Sequence, residues 1–75
     1  MSKAFVLLNS ETGLEKEVFE KINAFSSVKE IFSLYGVYDI IILVEEQDMN
    51  QLKETIFHRI RLIKGVKATL TLIVM

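Results

Sequence analysis

The chain has no cysteine, no proline and no tryptophan, and it carries only three glycines and one histidine among its 75 residues. Without cysteine there is no thiol nucleophile, no thiolate-held metal and no disulfide scaffold. One histidine excludes the paired imidazoles of common metal motifs, and neither HExxH nor an acidic cluster replaces them. Gly13, Gly36 and Gly65 each stand alone at a boundary, so no glycine-rich loop is available to cradle a phosphate. Nine Lys and Arg against ten Asp and Glu leave a net charge of -1, and no segment gathers the bases. Nucleic-acid binders carry a clustered basic face that displaces condensed counterions, so direct DNA binding is not expected. No apolar run approaches the roughly 18 residues that cross a bilayer, and Ala4 to Leu8 is shorter than the ~7–15 residues of a signal-peptide core. A soluble, cytoplasmic protein is the expectation, with no membrane partner.

What the chain does have is apolar surface, with 51% of its residues hydrophobic. A single domain of this length buries only roughly 60% of its unfolded surface. The stretch Gly36-Val37-Tyr38-Asp39-Ile40-Ile41-Ile42-Leu43-Val44-Glu45 concentrates the problem. Strand side chains alternate between faces, so the unbroken aliphatics Ile40 to Val44 need cover above and below the sheet. The helices of so short a chain cover one face. A second copy or a ligand is expected on the other.

Lys3 to Asn9 reads as a first strand. Thr12 with Glu15 gives a capping-box signature, and Leu14, Val18, Ile22 and Phe25 recur at helical spacing behind it. Val28 to Tyr35 forms a second strand, Gly36 a hairpin turn, and Tyr38 to Glu46 a third strand. Asp48 with Gln51 caps a second helix whose apolar stripe is Met49, Leu52, Ile56, Ile60 and Ile63, closed by Lys64 and a C-cap at Gly65. Lys67 to Met75 is the fourth strand, with Leu70, Leu72 and Val74 alternating against Thr69, Thr71 and Ile73. The predicted fold class is α+β, a ferredoxin-like βαββαβ chain. Right-handed crossovers put both helices on one face of a four-stranded antiparallel sheet, and the other face is left to pair in the manner of a dimeric αβ-barrel.

Few residues invite chemistry. His58 lies two positions from Ile56, about 200° round the helix and therefore toward solvent. With Glu54 one turn before it, it reads as a surface pair rather than an acid/base dyad, and Glu45-Glu46 reads as a solvated strand end. No catalytic residue, metal ligand or cofactor is assigned. Gly36 reads as a turn glycine with positive φ, and Asp39 as a group bonding the hairpin backbone. Thr69 and Thr71 are good strand formers that share a face of the last strand. Together these groups also suit a free α-amino acid: turn N–H groups for its carboxylate, an aspartate and hydroxyls for its ammonium.

The GxYD turn at Gly36-Val37-Tyr38-Asp39 and the ending Ile63-Lys64-Gly65-Val66-Lys67-Ala68-Thr69-Leu70-Thr71-Leu72-Ile73-Val74-Met75 resemble the effector domain of the Lrp/AsnC, or feast/famine, transcription regulators. That module is called the RAM domain, for regulation of amino-acid metabolism, and the resemblance covers essentially the whole chain. It implies homodimers packed sheet to sheet and assembled into rings of four or five dimers (octamers or decamers), with an amino-acid effector bound between dimers. By motif position it nominates Gly36, Tyr38, Asp39, Thr69 and Thr71 as ligand-binding residues. Full-length regulators carry a helix-turn-helix domain before this module, whereas the present chain opens on the first effector strand. It resembles a stand-alone RAM domain, acting alone or co-assembled with full-length regulators. An ACT-type regulatory domain shares the topology and stays open as an alternative, as does a small αβ-barrel isomerase or monooxygenase using His58.

Overall fold

A computed structural model describes all of residues 1–75. Strand β1 spans Ser2–Ser10, helix α1 Glu15–Asn23, β2 Val28–Ser33, β3 Ile40–Glu46, α2 Met49–Thr55 and β4 Val66–Ile73; α2 runs directly into a π-helical segment, Ile56–Ile60. The strands lie in the order β2-β3-β1-β4 and every neighbouring pair is antiparallel. This is the ferredoxin-like βαββαβ arrangement expected from the spacing.

The strand register divides the sheet into two faces. Ala4, Val6 and Leu8 of β1 sit opposite Val44, Ile42 and Ile40 of β3, and all six are buried. Helix α2 packs over β3 and β1, and α1 over β2. Val18, Ile22, Leu52, Ile56 and Ile60 from the helical layer complete the core. The intervening positions form the opposite face: Phe5 pairs with Leu43 and Leu72, and Leu7 with Ile41 and Leu70. No element of the chain covers that face, so Phe5 is 40% exposed, Leu70 43% and Leu72 50%. The two-sided demand of the Ile40–Val44 run is met on one side only.

Local chemistry differs from expectation at several ends. Thr12 does not cap α1. Leu14 occupies the N-cap without a side-chain bond, and Glu15 instead accepts the Gly13 N–H at 2.8 Å. Asp48 does cap α2, its Oδ1 accepting the Gln51 N–H at 2.8 Å. The second helix does not run regularly to Lys64. It widens into the π segment, marked by the Arg61 N–H donating to the Ile56 carbonyl, and ends at Ile60 with Arg61 as its C-cap. Gly65 lies beyond it, turning the chain into β4 with φ of +101°. β2 stops at Ser33 and β3 starts at Ile40, so the connection between them is longer than a tight hairpin.

Candidate functional site

The connection from Leu34 to Asp39 is closed between its two ends and is also held against β1. The Asp39 N–H donates to the Leu8 carbonyl at 3.0 Å, and the Leu34 N–H donates to the Asp39 carbonyl at 2.6 Å. The Asp39 carboxylate reaches the end of β1, where its Oδ2 accepts the Ser10 N–H at 3.0 Å and the Ser10 hydroxyl at 3.2 Å. Asp39 therefore fixes the turn to a neighbouring strand. Gly36 is exposed and, contrary to expectation, does not adopt positive φ; only Gly13 and Gly65 do. A Cβ at Gly36 would meet nothing within 4 Å. Tyr38 is half-buried, whereas Tyr35 and Val37 project into solvent, at 107% and 85% exposure.

Thr69 and Thr71 share a face, as their spacing requires. Pairing with Leu8 and Val6 sets it as the helix side of β4, and both threonines are half-buried. Asp39 and Thr69 flank the same stretch of β1, Asp39 bonding Leu8 from one side and Thr69 pairing with it from the other. Two strand spacings put their backbones about 10 Å apart. The turn and the start of β4 thus share one end of the sheet, while Thr71 sits farther along. The five nominated residues do not converge in one cavity of the single chain. A shallow depression is lined by Thr69 with Arg61, Val66, Lys67 and Ala68, and no depression is lined by Gly36, Tyr38, Asp39 or Thr71.

At the opposite end of β3, Glu46 is not the solvated group its position suggested. Its Oε2 accepts hydroxyl bonds from Ser27 and from the buried Thr55, the latter at 2.6 Å. These bonds, led by Ser27, hold its carboxyl below the usual carboxylate range, with Arg59 and Lys29 acting in the same direction against desolvation. Three elements meet there: the α1–β2 loop, the end of β3 and the end of α2. Glu45 lies 3.9 Å from the Lys3 ammonium. His58 is exposed, as its helical position required. Ser10, Ser27 and Thr55 were missed in the sequence because nothing in local spacing marks a hydroxyl whose partner is 29, 19 or 9 residues away.

A two-helix layer on one face of an antiparallel sheet, with the other face apolar and open, defines a ferredoxin-like domain. The chain belongs to the Lrp/AsnC ligand binding domain family, whose profile matches residues 3–75. A hypothetical protein of Pyrococcus horikoshii superposes with a TM-score of 0.92 at 37% identity, over 100% of this chain and 90% of that one. Homocitrate synthase of Sulfurisphaera tokodaii is 40% identical over 58 residues, 77% of this chain; the match spans only 12% of the enzyme's length. A transcriptional regulator of Neisseria meningitidis in complex with L-Met shares the fold, with a TM-score of 0.86 at 20% identity over 99% of this chain and 49% of that one. No helix is long and apolar enough to cross a membrane.

Proposed function

We propose that the chain is a non-enzymatic amino-acid-sensing module that works by assembly. The observation that carries this reading is the uncovered face of Phe5, Leu7, Ile41, Leu43, Leu70 and Leu72 on a domain of the Lrp/AsnC ligand-binding family. Such a face is stabilised by association, at about 25 cal/mol for each Å² of apolar surface removed from water. A second copy packing sheet to sheet is its occupant. Dimers then join near the exposed turn Leu34 to Val37, building octamers or decamers. The amino acid binds at this second junction. There Gly36, Tyr38 and Asp39 of the turn and Thr69 and Thr71 of β4 supply one part of the site, and a neighbouring dimer supplies the rest. The Neisseria regulator was solved with L-Met, which supports a free amino acid as the ligand class. Ligand held between dimers shifts the assembly by its differential affinity for the associated and dissociated states.

The homocitrate synthase match favours a second reading, in which the same module serves an enzyme rather than a DNA-binding regulator. Titration calorimetry across the common L-amino acids tests both readings. One or a few amino acids should release heat and alter the oligomer. Uniform silence across the set refutes sensing. Binding of an amino acid that also controls such a synthase points to the second reading.

A further inference from the structure

We propose that Ser10 is a positioning residue of the ligand site, and that the Ser10-Glu11 junction joins the site's two halves. This rests on the amino-acid-binding reading above. Ser10 is the last residue of β1 and is 8% exposed. Its N–H and its hydroxyl both donate to one oxygen of Asp39, Oδ2. The β1–β4 ladder shifts register at this point: Asn9 pairs with Ala68 but Ser10 with Val66, leaving Lys67 as the extra residue. A bulge of this kind bends a strand and re-aims the side chains beside it.

With β3 beginning only at Ile40, the Asp39 carboxylate serves the Ser10 amide where the β1–β3 ladder has ended. Two donors on Oδ2 fix the plane of the carboxylate and leave Oδ1 to accept from a ligand ammonium. One residue further on, the Glu11 N–H donates to the Gly65 carbonyl at 2.8 Å. Gly65 immediately precedes β4, so this bond and the bulge together set the register that places Thr69 and Thr71. A two-residue stretch of β1 and its exit therefore holds both the turn carrying Asp39 and the strand carrying the threonines. A ligand contacting either half acts on a structure that the other half shares.

The test compares the parent with Ser10→Ala, Ser10→Thr and Asp39→Asn. Calorimetry against the common L-amino acids is combined with amide NMR spectra of the ligand-free proteins. Ser10→Ala should weaken the bound amino acid about fivefold. Ser10→Thr, which keeps the hydroxyl, should restore most of that loss. The Ser10→Ala and Asp39→Asn effects should be non-additive in the double variant. Without ligand, Asp39→Asn should move the amide resonances of Ser10, Glu11 and Thr69. A parent that binds while Ser10→Ala binds equally well overturns the assignment of Ser10 alone. Shifts confined to residues 36–39 overturn the junction, whether or not Ser10→Ala folds. A parent that binds no amino acid overturns the sensing reading, and with it the place of Ser10 in a ligand site.

Discussion

Replacing Gly65 by alanine tests how the helical layer is locked to the sheet. Gly65 has φ of +101°, a region where a Cβ is disfavoured by about 1–2 kcal/mol. The added methyl would also lie 2.8 Å from Val18 Cγ2 and 3.3 Å from Leu14 Cβ and Cδ1. Val18 is fully buried and cannot swing outward, so the clash adds an overpacking term of about 1–3 kcal/mol. The two effects together give a loss of about 2–5 kcal/mol, set against roughly 4–11 kcal/mol for a whole domain of this length. Urea unfolding should show the midpoint falling by roughly 1–3 M at unchanged slope. Gly36→Ala is the control, because its Cβ meets nothing within 4 Å and its φ is not positive; it should stay within about 0.5 kcal/mol of the parent. A Gly65→Ala midpoint equal to the parent's would refute the close approach of this turn to α1.

Charges placed at adjacent positions of β3 should fail differently. Ile42 is 1% exposed beneath the helices, so Ile42→Asp should abolish folding, seen as lost near-ultraviolet circular dichroism. Leu43 faces away from the helices, so Leu43→Asp should leave secondary structure in place and break association, read by gel filtration. At the other end of the strand, Glu46→Gln should lower stability by about 1 kcal/mol, a modest figure for hydrogen bonds partly open to water. Since folding lowers the Glu46 pKa, its contribution is present above the unfolded value of about 4.3 and is lost as pH falls through the folded value. Acid titrations of parent and Glu46→Gln stability should therefore converge below that window; curves parallel throughout would remove Glu46 from the clasp. Asp39→Asn should weaken amino-acid binding roughly ten- to a hundredfold, and Thr71→Val should cost about 1 kcal/mol of affinity, both by calorimetry with the oligomer preserved.

The fold was readable because local signals agreed with the global arrangement. Val18 and Ile22 recur at helical period and are buried, while Ile40, Ile42 and Val44 alternate onto the covered face with Ile41 and Leu43 on the other. Element ends were less readable. Thr12 and Glu15 fit a capping box, but Leu14 sits at the cap and Glu15 turns to Gly13. The π segment leaves no period of its own, since Ile56 and Ile60 sit four apart and suit an α-helix equally well. The turn type also escaped prediction: Gly36 looked like the positive-φ glycine, yet the chain spreads the reversal over residues 34–39 and anchors it through Asp39 to Ser10. For the candidate site, the sequence nominated residues that structure distributes around β1. Their partners, Ser10 above all, are long-range, and single-sequence periodicity carries no such information.

Sedimentation equilibrium of the parent chain, with and without the amino acid that binds it, is the most direct test of a sensor that works by assembly. The expected particle is a multiple of 8.6 kDa, at least a dimer without ligand, whose distribution among dimers and larger rings moves when the amino acid saturates it. A single 8.6 kDa species under both conditions would contradict both the paired sheet face and a ligand site completed between copies.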